Sequence, residues 1–118
     1  MASGETVIPN QQEIKYKASI TSNVSTSTSI GDVSDCKYLY IHSAYSSTYS
    51  KYYLFPIAYV RSNFENNPDS NTLTRNFYLN NRDNSRHITV SLVFTRALGL
   101  SYTSSDRASM NAYVYAIK

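Results

Sequence analysis

The chain has little of several residue types on which common protein classes depend. Its 118 residues include one cysteine, Cys36, no tryptophan, three glycines and three prolines. A single cysteine excludes an intrachain disulfide framework and metal sites built on paired cysteines, and three scattered glycines exclude a phosphate-binding loop. No apolar run approaches the roughly 18 residues of a membrane helix. The first residues, MASGETVIPN, lack the pattern of a signal peptide. We therefore expect a protein made in the cytoplasm, without membrane insertion.

Charge is also sparse and scattered. Eleven basic and eight acidic residues give a formal net charge of +3, and no run of Lys or Arg occurs. Strand-based readers of nucleic acid interleave basic side chains with exposed rings on one face. Here Arg75 and Tyr78 fall on opposite faces of their predicted strand. The sequence therefore favours no nucleic-acid partner.

Side chains suited to catalysis are few and show no catalytic spacing. The two histidines, His42 and His87, form no motif with Cys36 that would indicate a nucleophile and its base. No HxH or HExxH motif is present, and most of the acids lie in predicted turns, where Asp is favoured for backbone reasons. We expect neither an enzyme nor a bound metal or cofactor.

What the chain has in abundance are residues of strands and turns. Ser, Thr and Asn fill 40 positions and Tyr fills 12. Thr, Tyr, Val and Ile favour pleated, half-buried surfaces, while Ser and Asn favour turns. The composition predicts an all-β protein.

Alternation with a period of two residues supports this prediction. The segments that read as strands are 13–20, 24–30, 37–45, 50–60, 73–80, 87–97 and 111–118. Gly31-Asp32, residues 63–71, the turn 81–86, Gly99 and residues 104–107 read as interruptions. We predict an antiparallel β-sandwich or jelly roll of seven to eight strands over residues 13–118, after an irregular N-terminal arm of residues 1–12. The predicted core includes Ile14, Ile20, Ile30, Val90, Leu92, Phe94 and Val114.

The tyrosines are concentrated in YIHSAYSSTYSKYYLFPIAYV, residues 40–60. By strand parity, Tyr38 and Tyr40 share one face, and Tyr53, Phe55, Ile57 and Tyr59 share another. We predict that most of these rings pack between the sheets. The surplus of rings also predicts a homo-oligomer, most simply a trimer, that buries part of residues 38–59 between subunits.

Binding residues are expected in the long polar connections, since loops held by a rigid sheet commonly carry recognition. In these connections, rings can stack on a ligand, amides can bridge hydroxyls and guanidinium groups can hold carboxylates. The predicted ligand-binding residues are Tyr45, Tyr49, Asn66, Asn67, Arg82 and Arg86.

Three segments carry a resemblance to a known group of proteins. STSIGDVSDCKYLYI, YLFPIAYV and the closing YVYAIK together resemble the β-rich C-terminal head domains of bacteriophage tail fibres and related virion appendages. In the closing segment Ala116 stands where that group usually has Gly, and no fibrous stalk precedes the domain, which leaves room for a short head fibre or a capsid decoration protein. The resemblance implies a non-enzymatic virion protein that binds a host-surface glycan or other virion subunits. A free carbohydrate-binding module or lectin is the alternative.

Overall fold

Antiparallel strands and one short helix make up the described part of the chain. The computed structural model describes residues 13–21, 23–43, 52–80, 86–107 and 110–118. The predicted arm, residues 1–12, lies outside these ranges. In chain order, the elements are β1 (Ile14–Ile20), β2 (Thr28–Asp32), β3 (Tyr38–Ser43), β4 (Tyr52–Pro56), α1 (Ile57–Asn66), β5 (Thr72–Asn80), β6 (His87–Thr95), β7 (Gly99–Arg107) and β8 (Ala112–Ile117).

The strands form two packed sheets of four strands each. The first sheet has the order β1-β8-β3-β4, the second has the order β2-β7-β6-β5, and every pairing is antiparallel. The first strands of the chain pair with its last strands, β1 with β8 and β2 with β7. The predicted all-β sandwich is confirmed.

The core lies between the two sheets and contains most of the predicted core residues. Ile20, Val90, Leu92, Phe94 and Val114 are at most 1% exposed. Ile30 is partly buried against this cluster. These positions were correctly predicted because each follows the period of a strand with one inward face.

Ile14 is the exception, because its side chain is 47% exposed. The register between β1 and β8 shifts between Ile14 and Tyr16, which marks a β-bulge. A single extra residue reverses the direction of the side chains that precede it. The prediction that Ile14 shares the inward face of Tyr16 and Ile20 is therefore wrong.

A helix replaces the second half of the strand predicted over residues 50–60. Pro56 ends β4 in an extended conformation, and α1 starts at the next residue. Ile57, Val60 and Phe64 are buried, at helical spacing, against the open side of the sandwich. The predicted loop 63–71 is also wrong over its first four residues, which belong to this helix. Residues of α1 such as Ile57 and Val60 favour strands, yet they fold as a helix because burial of one helix face outweighs their intrinsic preference.

Three predicted interruptions are in fact parts of strands. Gly31 and Asp32 belong to β2, and Gly99 together with residues 104–107 belongs to β7. β7 lies between β2 and β6; it pairs with β6 over residues 100–107 and with β2 over residues 99–102. The buried hydroxyl of Ser104 donates to Thr21 O at 2.9 Å and accepts from Val24 N at 3.1 Å. The polar sequence of β7 is thus accommodated by hydrogen bonds.

Candidate functional site

The outer faces of the two sheets have very different compositions. The second sheet presents mainly Thr, Ser and Asn to solvent, among them Thr74, Asn76, Thr89, Ser91, Ser101 and Thr103. The first sheet presents aromatic rings and one leucine. We call this surface the tyrosine face; it comprises Tyr38, Tyr40, His42, Tyr52, Leu54, Tyr113 and Tyr115.

The register of the four strands arranges the tyrosine face in rows. One row runs across the sheet as Lys17 on β1, Tyr115 on β8, Tyr40 on β3 and Leu54 on β4. The next row runs as Ser19, Tyr113, His42 and Tyr52. These rows exist because alternate residues of each strand point away from the core, which the inner residues of the same strands fill.

The rings of the two rows contact one another. The ring centroid of Tyr40 lies 5.2 Å from that of His42, 5.6 Å from Tyr52 and 6.0 Å from Tyr115. His42 lies 5.3 Å from Tyr113 and 5.8 Å from Tyr115. Most of these pairs are tilted, by 36° to 50°, so neighbouring rings partly cover one another's faces. The result is a continuous aromatic surface with its most open ring, that of Tyr52, at the margin, 56% exposed.

Among the described residues of the two rows, the charged side chain is that of Lys17, at the β1 margin of this surface. The Lys17 ammonium lies 5.5 Å from the ring centroid of Tyr113 and 5.6 Å from that of Tyr115, within the range of cation–π attraction. Burial among the rings, with a smaller contribution from the hydroxyls of Tyr52 and Tyr115, raises the pKa of Tyr40 above its ordinary value of 10.0. The Tyr40 hydroxyl is therefore uncharged at neutral pH.

The prediction that most of the rings of Tyr38, Tyr40, Tyr53, Phe55 and Tyr59 pack between the sheets is wrong, because two of the five do so. Tyr53 and Phe55 do face the core, where Phe55 packs on Phe77 with centroids 5.5 Å apart. Tyr38 and Tyr40 lie instead on the outer face. Tyr59, on α1 rather than on a strand, is 43% exposed and stacks with the Arg75 guanidinium 5.0 Å from its ring centroid.

Two of the predicted ligand-binding residues lie at the end of α1. Asn66 is the last residue of the helix and is exposed. Asn67 is the C-cap, and its side-chain amide donates to Asn63 O at 2.7 Å. Arg96 holds the turn that follows by donating to Asn67 O at 3.0 Å and to Pro68 O at 2.8 Å. The amide of Asn67 thus closes the helix.

One further predicted site residue, Arg86, lies at the opposite end of the sandwich. Arg86 is exposed immediately before β6, whereas Asn67 precedes the start of β5. The nine residues of β5 separate the two positions by about 27 Å. The structure therefore does not bring Asn66 and Asn67 together with Arg86. Tyr45, Tyr49 and Arg82 lie outside the described residues.

Sequence reasoning missed Tyr113 and Tyr115 as members of this aromatic surface. Their signal was present in the alternation of β3 and β8, in which ring-bearing residues alternate with Leu39, Ile41 and Val114. Pairing of these two strands brings the rings onto one face, and this pairing was not apparent from either strand alone.

The side chains considered for catalysis remain apart. Cys36 is 4% exposed, and burial, followed by the nearby Asp35 charge, raises the pKa of its thiol, which disfavours the nucleophilic thiolate. His42 belongs to the outer surface. Among the described residues, no three His, Cys, Asp or Glu side chains are grouped as metal ligands, and no helix there is long and apolar enough to cross a membrane.

Comparison with known proteins adds no relative: no protein-family model, curated protein or solved structure matches the chain.

Proposed function

We propose that the protein is a non-enzymatic structural component of a bacteriophage particle, a fibre head or a capsid decoration, and that it binds through the tyrosine face. The observation that carries this proposal is the unequal composition of the two outer faces. One face presents mainly Thr, Ser and Asn, with a single aromatic pair, Tyr78 and His87, near one end, while the other is a continuous surface of rings with Lys17 at its margin. Exposed aromatic patches of this kind commonly mark interaction sites.

The composition of the face suits a protein partner. Interfaces are enriched in Tyr and depleted of charged residues at their centre. The virion assignment itself comes from the resemblance of the segments around β2 to β4 and of β8 to phage appendage domains. For such a component, the expected partners are other virion subunits and a host-surface glycan.

Electron microscopy tests the virion assignment. An antibody against the purified protein is applied to phage particles released from the bacterium that encodes the chain. We expect gold label at defined positions on intact particles. Label confined to free protein, with unlabelled particles, would contradict the assignment.

Paired variants test the binding surface. Tyr40→Ser with Tyr113→Ser opens the centre of the tyrosine face, while Thr89→Ala with Ser91→Ala makes a matched change at the centre of the opposite face. Binding to particles and to host cells is measured after folding has been checked by circular dichroism. We expect the first pair to lower binding at least tenfold and the second to leave it unchanged.

The loop prediction is tested in the same assay with two further variants. Tyr45→Ala with Tyr49→Ala, and Arg82→Ala with Arg86→Ala, remove the predicted rings and guanidinium groups of the connections 44–51 and 81–86. Full binding by both variants, with loss in the tyrosine-face variant, would assign recognition to the sheet. Loss of binding in the loop variants, with full binding by the tyrosine-face variant, would assign recognition to the loops and contradict our proposal.

A free carbohydrate-binding module is the second candidate. It is favoured by the open ring of Tyr52, which borders the segment that contains Tyr45 and Tyr49 and could stack on a sugar. The absence of Trp, which small lectins generally prefer for stacking, counts against it. Binding to immobilised glycans that is lost in Tyr52→Ala would support this candidate.

A further inference from the structure

We infer that the tyrosine face is a self-complementary surface and that two copies of the chain pair through it, face to face, about a twofold axis parallel to the strands. This inference rests on the proposed function and specifies one partner for the same surface. Four observations lead to it: the tilt of the rings, the place of the charge, the order of residues in each row and the area available.

The tilt of the rings favours a protein surface over a saccharide. A sugar stacks on an open ring face, but the central rings of Tyr40 and Tyr115 lean on their neighbours at 49° and cover part of those faces. Together they form an uneven surface rather than one flat stacking platform. An uneven surface can interdigitate with the side chains of a second sheet, as sheet-on-sheet packing requires at a separation of about 10 Å.

The order of residues in the row makes the surface complementary to itself. A twofold axis parallel to the strands keeps each row at its own level and reverses its direction. The row Lys17, Tyr115, Tyr40, Leu54 then faces Leu54, Tyr40, Tyr115, Lys17 of the second copy. Each Leu54, which is 57% exposed in the single chain, meets the alkyl part of Lys17, and the central tyrosines meet each other.

The charge distribution selects this axis. With the axis parallel to the strands, the two Lys17 ammonium groups lie at opposite margins, about 17 Å apart for three strand spacings and one sheet separation. That distance is about twice the screening length at physiological salt. An axis across the strands would place β1 over β1 and bring the two lysines together. The parallel axis therefore avoids a like-charge contact.

The area sets the expected strength. Four strands of about six residues give a footprint on the order of 400 Å² per copy. A pair therefore buries on the order of 800 Å², below the roughly 1,200 Å² at which stable interfaces begin. We expect a weak dimer in solution, with a dissociation constant of roughly 10–100 μM, and a firmer contact where many copies are held close together on one particle.

Sedimentation velocity over a range of about 5 to 500 μM tests the pairing. Wild-type protein should shift from monomer to dimer across this range. Leu54→Lys places a charge on the outward face of an edge strand of the first sheet, and Thr74→Lys makes the same change on the outward face of an edge strand of the second. We expect Leu54→Lys to weaken dimerisation at least tenfold and Thr74→Lys to leave it unchanged. Tyr52→Ser, from the second row, serves as an independent variant should Leu54→Lys fail to fold.

Cross-linking tests the axis. In a Cys36→Ser background, Lys17→Cys chains are mixed with Leu54→Cys chains and treated with a short bis-maleimide, because residues on facing sheets about 10 Å apart are too distant for a direct disulfide. The pairing predicts that mixed cross-linked dimers exceed both homodimers. Predominant Lys17→Cys homodimers would overturn the parallel axis.

The results separate this inference from the proposed function. A wild-type monomer at 500 μM, a trimer, or equal dimerisation by Leu54→Lys and wild type would each overturn the pairing. If binding to particles or cells still depends on Tyr40 and Tyr113 in such a monomer, the proposed function stands and the partner is a different molecule. Dimerisation without binding to particles or cells would support the pairing and contradict the proposed function.

Discussion

Tyr16 of β1 lies directly over Gly31 of β2 and links the edges of the two sheets. A Cβ atom built on Gly31 would lie 2.5 Å from Cζ of the Tyr16 ring, too close for any real contact. Gly31 also has a φ of 142°, a conformation that side chains rarely adopt. The glycine that reads as an interruption in the sequence therefore allows a ring from one sheet to pack on the backbone of the other.

Gly31→Ala should destabilise the protein markedly, because the new methyl group meets both the ring and an unfavourable φ. We expect a loss of about 2–4 kcal/mol in the free energy of unfolding, measured by urea denaturation. Gly99→Ala is the control, since its Cβ would meet only Thr95 Oγ1 at 3.2 Å. Equal losses in the two variants would contradict the role of Tyr16, whereas a smaller loss on adding Tyr16→Leu to Gly31→Ala would support it.

Arg96 should be an important residue for the end of α1. Its guanidinium donates to the carbonyl oxygens of Phe64, Asn67, Pro68 and Ser70 and lies 5.1 Å from the ring centroid of Phe64. We expect Arg96→Ala to lower the free energy of unfolding by about 2–3 kcal/mol, because several charge-assisted hydrogen bonds are lost together.

Arg96→Lys should recover less than half of this loss, since an ammonium group lacks the planar fork that reaches several carbonyl groups. Arg61→Ala is a comparison with fewer contacts, because Arg61 donates to Ser34 O alone among the described carbonyl groups. The two alanine variants are compared by thermal and urea unfolding. A larger loss for Arg61→Ala would refute the assignment.

Stability should fall in acid through Asp35. Its hydrogen bond and ion pair with Lys15, at 2.8 Å, lower the pKa of the Asp35 carboxyl from its ordinary value of 3.8. A lowered pKa in the folded state contributes stability above the unfolded-state pKa, and this contribution is lost as the pH falls through the folded-state pKa. Because the pair is exposed, the expected change in melting temperature between pH 5 and pH 2 is small.

Asp35→Asn should flatten the acid limb of the melting curve more than Lys15→Gln, since it also removes the ion pair of Asp35 with Lys118 at 3.7 Å. High salt should reduce the difference between wild type and variants. Melting temperature is followed by circular dichroism at half-unit steps of pH. An unchanged acid limb in both variants would show that other carboxylates control it.

Cys36 should react slowly in the folded protein. Its thiol is buried, and its pKa is raised by burial from the ordinary value of 9.0, so both access and thiolate fraction are low. We expect labelling by a disulfide reagent at pH 8 to be at least about 100-fold slower than in denaturant. Cys36→Ala provides the blank. Similar rates in native buffer and in denaturant would place Cys36 at the surface.

The sequence determined those strands in which one face is apolar and the other is polar. β5 and β6 were predicted nearly to their ends because Leu73, Phe77 and Val90 alternate with polar residues, so period two and burial agree. β7 was missed because residues 104–107 are polar, and their strand conformation is imposed by pairing with β6. α1 was missed because Ile57, Val60 and Phe64 also suit a strand. Only their burial against the sandwich in the folded chain favours the helix.

The candidate site could not be predicted from local sequence patterns, for a related reason. The sequence by itself determined that Tyr38 and Tyr40 share a face, since the side-chain period of a strand is two. It could not determine whether this face points to the core or to solvent, because the alternate residues Leu39 and Ile41 are equally apolar. The tertiary structure decided this when β3 paired with β8, since the smaller aliphatic side chains filled the space between the sheets and left the rings outside. The limited space between the two sheets therefore leaves the tyrosines of β3 and β8 on the surface.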